Sequence, residues 1–209
     1  GIQARLRRHA RSFLRTFLSP SRPLTVPARG LLPEQLLQHL FIQRDGLVFG
    51  EKHIYSITRQ FLIKNMPALK KVGVKALYLE LFNTDLHQLY LDMYNASPTH
   101  VMPSVLRERL RVIDQMAFQH DPFSYRRLVE DAHAHGIRVM ALDTTASSLY
   151  SSGDLAPPRV MPTLADQLDR VTMFNFFAYK RISAEQLARG PHRWVALVGQ
   201  AHCNTLQSI

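Results

Sequence analysis

The sequence predicts an α/β domain with a mainly parallel central sheet, helices on both faces and a short basic helix at the N-terminus. Three observations carry this. Four short apolar runs, Gly46–Gly50 (GLVFG), Val74–Leu79 (VKALYL), Ile137–Leu142 (IRVMAL) and Trp194–Val198 (WVALV), read as strands buried on both sides. Segments of helical periodicity stand between them, the alternation expected of parallel βαβ units. The 209 residues are 46% hydrophobic, enough to bury one sizeable core.

In chain order, residues 2–18 read as an amphipathic helix, with Ile2, Leu6, Phe13, Leu14, Phe17 and Leu18 spaced among arginines. Residues 19–33 hold four prolines and a glycine and read as a linker, so the main domain is expected to span 34–209. Pro33 suits the first turn of a short helix over EQLLQHLF. Residues 56–71 read as one helix with Ile57, Phe61, Leu62, Met66 and Leu69 inward, ended by Gly73. Asn83 or Thr84 caps a helix through Tyr94, and Ser104 caps another through about Gln119. Pro122 opens a third that runs to His135 and stops at Gly136. Thr145–Arg159 reads as a polar loop, Leu164–Arg181 as a long helix, and Ser183 as the cap of a short one.

The net charge of +10 is concentrated at the front: Arg5, Arg7, Arg8, Arg11, Arg15, Arg22 and Arg29 fall in residues 1–33, where there is no acid. Arg5, Arg7, Arg8, Arg11 and Arg15 make residues 1–18 a candidate for an anionic membrane surface. The plainer reading is a helix packed on the body with solvated arginines. Nucleic acid is not an expected partner, because the arginines lie on one helix without interleaved stacking aromatics. The single cysteine, Cys203, excludes an internal disulfide framework and a Cys-rich zinc site. No apolar run approaches the roughly 20 residues of a membrane span, and no apolar segment with a small-residue cleavage site follows the charged start. A first residue Gly1 in place of Met suggests a piece of a longer protein.

In open α/β sheets, ligands bind beyond the carboxyl ends of the strands. There the four runs deliver Glu51 and His53, Glu80, Asp143, and Gln200, His202 and Asn204. In extended backbone Glu51 and His53 point the same way, with Lys52 opposite. Such a pair serves as base and orienter, or as metal ligands. Glu80 ends a strongly apolar strand, so desolvation is expected to raise its pKa. His87 lies early in the following helix, within reach of the site edge, and with Asp143 and Asn204 forms a secondary set. His39, His100, His120, His133, His135 and His192 read as surface or packing residues. Cys203 is not expected to be a nucleophile, since nothing marks it as a thiolate. The phosphate-binding loops, the G-x-S-x-G elbow and H-E-x-x-H are absent. Glu51, His53, Glu80 and His202 could hold a divalent Mn, Co or Zn ion, but no cofactor is favoured.

Gly50-Glu51-Lys52-His53, the strand ending at Glu80, TDLHQLYLD, HGIRVMALD and WVALVGQAHCNT together resemble the erythromycin-esterase/ChaN/TIKI superfamily. Within it they resemble the branch of bacterial toxins and injected effectors that includes a Ras/Rap1-specific endopeptidase. The resemblance covers roughly Gly46–Thr205 and implies catalytic roles for Glu51, His53, Glu80 and His202. It implies a secreted or injected hydrolase that cleaves a host signalling protein, possible targets including a small GTPase, at the host cytosol or inner membrane surface. Glu51 or Glu80 would activate water, His53 would orient or share the proton, and His202 would steady the oxyanion or protonate the leaving amine. Glu51→Ala is then expected to abolish turnover with little change in melting temperature. The superfamily also holds an esterase and a haem-binding protein, so an ester substrate and a non-catalytic membrane or ligand-binding module are the alternatives.

Overall fold

The computed structural model describes residues 1–16, 30–42, 44–53, 55–117, 122–148 and 164–203. Four strands, β1 (Gly46–Glu51), β2 (Val74–Asn83), β3 (Arg138–Asp143) and β4 (Arg193–Gly199), form one sheet in the order β1-β4-β2-β3, every pair parallel. Helices α2 (Pro33–Leu40), α3 (Ile57–Lys64), α4 (Met66–Lys71), α5 (Thr84–Ala96), α6 (Ser104–Ala117) and α7 (Tyr125–Ala134) pack on one face. The turn α8 (Thr145–Ser148) follows β3. The long helix α9 (Leu164–Arg189) covers the other face, and α1 (Ile2–Thr16) packs on α9.

Strand alternation divides the core. Leu77 and Leu79 of β2 and Val195 and Leu197 of β4 join the larger cluster. Ala76, Tyr78, Ala196 and Val198 meet Phe174 and Ala178 of α9. Each fully buried large apolar side chain stabilises by about 1.5–3 kcal/mol. Register places the strand ends together: Glu51 lies beside Gly199, and Leu79, just before Glu80, lies beside Leu197.

The turns follow local chemistry. Gly73 and Gly136, at φ +89° and +64°, take the left-handed conformation that side chains disfavour after α4 and α7. Ser124, not Pro122, caps α7: its hydroxyl accepts the Arg127 N–H at 3.1 Å, while Asp114 accepts the Tyr125 and Arg126 N–H groups. Asn83 stands at the N-cap of α5 as expected but makes no side-chain cap bond to the helix; its backbone N–H donates to His87 Nδ1 at 3.0 Å.

Four expectations are corrected. Residues 56–71 form two helices, because Pro67 has no N–H to continue the ladder, and Asn65 Nδ2 closes the first by donating to the Phe61 carbonyl at 2.8 Å. Ile57, at the first position of α3, is 72% exposed. Ser183 starts no new helix: α9 runs through it, its last turns held by the ion pairs of Glu185 with Arg138 and Arg189. Thr145–Ser148 is one helical turn within the expected loop, and the linker centre, His120 and residues 149–159 lie outside the described residues.

Candidate active site

Glu51 ends β1 on the α3/α7 face of the sheet and Glu80 leaves β2 on the α9 face. The two carboxylates therefore approach the sheet edge from opposite sides. Glu51 is 4% exposed. Its Oε2 accepts from Arg59 Nη1 at 3.0 Å, and its Oε1 takes the Tyr125 hydroxyl. Arg59 is 1% exposed, donates through Nε to the Phe123 carbonyl at 2.9 Å and lies 4.3 Å over the Tyr125 ring. Burial and the neighbouring Glu51 charge push the Tyr125 hydroxyl well above its ordinary pKa, so it stays a donor.

The chain turns after Glu51, and His53 comes back over it. Its Nδ1 faces Glu51 Oε1 at 3.2 Å and the Tyr125 hydroxyl at 3.3 Å, while its side chain remains 62% exposed. The hydrogen bond to Glu51 raises the His53 pKa above 6.5; burial opposes this and the Glu51 and Glu80 charges add to it. The expected Glu51–His53 pairing is thus observed as geometry, through a turn instead of an extended strand.

Glu80 is held from three sides. Its Oε1 faces His202 Nε2 at 3.1 Å and Arg170 Nη2 at 3.2 Å, and its Oε2 accepts the Gly199 N–H. Burial pushes this carboxyl up, but His202, the Gly199 N–H and Arg170 outweigh it and pull the pKa down to about 2. This reverses the expectation from burial alone. His202, with a side chain 2% exposed, sits against Phe174 with ring centroids 4.0 Å apart, and its Nδ1 faces Asn175 Oδ1 at 3.1 Å. An apolar cleft of about 760 Å³ between α9 and the β1–β4 edge, lined by Val48, Phe174, Ala178, Trp194 and Val198, reaches His202.

Gly199 is where the two halves meet. A Cβ added there would stand 3.1 Å from His53 Nε2, 3.4 Å from Glu80 Oε2 and 3.6 Å from His202 Cδ2. The backbone at Gly199, φ −58° and ψ 142°, suits any residue. The missing side chain therefore serves space, keeping open a wedge between an imidazole nitrogen and an ionised carboxylate.

The secondary candidates divide. Asp143 is buried at the rim, 3.9 Å from Arg170, and accepts from the Thr144 N–H and the Ser147 hydroxyl; burial raises its pKa. His87 is committed to the start of α5, its pKa lowered by burial and then by Arg109. Asn204 lies outside the described residues. Burial and the Glu80 charge push the Cys203 thiol up, against a thiolate role. Among the described residues, no three His, Cys, Asp or Glu side chains are grouped as metal ligands. Glu51 and Glu80 are each paired with a guanidinium group, of Arg59 and of Arg170.

Of the basic stripe on α1, Arg7 and Arg11 pair with Asp169 of α9 at 3.3 and 2.7 Å, and Phe13 packs on Phe176 and Tyr179. Arg5 and Arg8 are exposed.

Sequence reasoning missed Arg59, Tyr125, Arg170 and Asn175. Arg59 left a signal: it shares the helical stripe of Leu62 and Met66, where a buried cation demands a buried anion. The bond to Glu51 also overturns the expected neutrality of Glu51→Ala, since that change strands a buried guanidinium.

No protein-family model matches the chain. Over 181 residues it is 32% identical to a multifunctional-autoprocessing repeats-in-toxin protein of Vibrio vulnificus, covering 84% of this chain and 3% of that protein. Among solved structures it matches RRSP, a MARTX toxin effector domain from Vibrio vulnificus CMCP6, with TM-score 0.61 and 30% identity, over 81% of this chain and 30% of that one. The type III effector HopBA1 shares the fold, with TM-score 0.55 and 16% identity, over 88% of this chain and 79% of that one. The chain is thus homologous to a bacterial toxin effector domain, and spans less than a third of RRSP.

Proposed function

We propose that this chain is the catalytic part of a bacterial toxin effector and hydrolyses an amide bond of a host protein, a small GTPase being the first substrate class to try. The observation that carries the reading is the wedge over Gly199, faced by His53 Nε2 and Glu80 Oε2. Homology to RRSP and the G-E-x-H pattern support a peptidase within the erythromycin-esterase/ChaN/TIKI superfamily.

A water in the wedge gives one proton to His53 Nε2 and its other hydrogen bond to Glu80 Oε2. Glu51 holds the Nδ1–H of His53, so the nitrogen facing substrate is the basic one. As the water oxygen bonds to the carbonyl carbon, His53 gains the proton; as the C–N bond breaks, the leaving amine takes it back. Glu80 is kept ionised by His202, Gly199 and Arg170. His202, buried behind it, acts in this reading as a positioning residue. The scheme routes no step through a metal or other cofactor.

The test is incubation with a panel of small GTPases including Ras and Rap1, read by intact mass. One discrete pair of fragments supports a site-specific peptidase. Intact substrates throughout count against this substrate class and turn the search to small esters and haem, with the apolar cleft beside His202 as the place to look for binding. Attraction to an anionic membrane rests on less, the exposed Arg5 and Arg8, and vesicle co-sedimentation before and after deleting α1 tests it.

The base must be neutral at Nε2, and its pKa is raised above 6.5. Protonation below that pKa removes the base, so kcat/KM is expected to fall on the acid side through a limb lying above pH 6.5. A limb well below that value contradicts His53 as the base.

A further inference from the structure

We infer that Asn175, on α9, is a positioning residue that holds a hydrogen on Nδ1 of His202 and so aims Nε2 at Glu80. The inference deepens the hydrolase reading and rests on it for the kinetic consequence, whereas the place of the proton stands apart from any substrate.

The amide of Asn175 is oriented by its second bond. Its Nδ2 donates to the His202 backbone carbonyl at 3.3 Å, which turns Oδ1 toward the ring, 3.1 Å from Nδ1. An amide oxygen only accepts, so Nδ1 must carry a hydrogen. The opposite tautomer would set a bare nitrogen against that oxygen with no hydrogen between them. Phe174, packed on the ring, restrains it from turning over to exchange its nitrogens.

Nε2 then donates to Glu80 Oε1 at 3.1 Å, with Arg170 Nη1 3.4 Å away. Glu80 on β2 and Arg170 on α9 face the ring, with Asp143 of β3 beyond Arg170. Arg170, Phe174 and Asn175 all come from α9, so this helix is part of the site as well as cover for the sheet. Through His202 it fixes Glu80 Oε1 and leaves Oε2 for the Gly199 N–H and the wedge.

The experiment is 15N NMR of the histidine ring nitrogens in the whole chain, with His202→Gln assigning the resonances. In wild type the ring is expected to show a hydrogen on Nδ1, with a protonated Nε2 facing Glu80. Asn175→Asp keeps an acceptor at Nδ1 and should preserve that pattern. Asn175→Ala should shift Nδ1 toward a bare nitrogen while Nε2 keeps its hydrogen toward Glu80, with a loss of kcat at unchanged KM that the Asp variant restores. A wild-type ring with bare Nδ1 overturns the inference even if every variant misfolds, and so does an Asn175→Ala ring with the wild-type pattern. Failure of the hydrolase reading would look different: no turnover on any substrate, with the wild-type ring pattern intact.

Discussion

His53→Ala is expected to lower turnover by about 10²–10⁴-fold, the contribution of one positioned acid/base group, while the melting temperature stays close to that of the wild type. The side chain is 62% exposed, and what it touches survives its removal: Glu51 keeps Arg59 and Tyr125, and Glu80 keeps His202, Arg170 and Gly199. Substitutions at such exposed positions usually change stability by less than about 0.5 kcal/mol. His53 is for this reason the cleaner probe of chemistry, and Glu51 the poorer one. Steady-state kinetics beside a thermal melt reads both quantities. Retained turnover, or a collapse of the melt, would each contradict the assignment.

The second large effect is on stability. Arg59→Met leaves the Glu51 carboxylate buried without its guanidinium and removes the donor to the Phe123 carbonyl. Breaking a buried ion pair from one side costs about 3–5 kcal/mol, which for a chain of this length lowers Tm on the order of 10 °C. Glu51→Leu should cost a similar amount from the other side. Replacing both, as Glu51→Leu with Arg59→Met, should restore much of the loss, because the penalty is the unpaired charge more than the lost attraction. Urea unfolding of the two single variants and the double variant closes the cycle. Additive losses would mean that Glu51 and Arg59 do not depend on each other.

The sheet was legible because its strands appear as near-continuous apolar runs, each followed by its polar end: β2, β3 and β4 are largely buried on both faces, while the edge strand β1 leaves Val48 53% exposed. That rule led to Glu51, His53, Glu80 and His202, and the structure brings all four around Gly199. Their partners were hidden by sequence distance: Tyr125 reaches Glu51 across 74 positions and Arg170 reaches Glu80 across 90. On a helix, such residues look like any other member of an amphipathic face. The direction of the Glu80 shift failed for the same reason, since burial can be guessed from an apolar strand but three converging partners cannot. The helix errors were local, with Pro67 splitting one helix and Ser183 failing to split another.

The wedge over Gly199 is the central claim, and Gly199→Ala tests it most directly. Its backbone accepts alanine, so the variant should melt like the wild type, while the new methyl 3.1 Å from His53 Nε2 crowds out the water. With a protein substrate that the wild type cuts, read by intact mass, the account predicts wild-type fragments and uncut substrate with the variant. Fragments at the wild-type rate from a folded Gly199→Ala protein would contradict it.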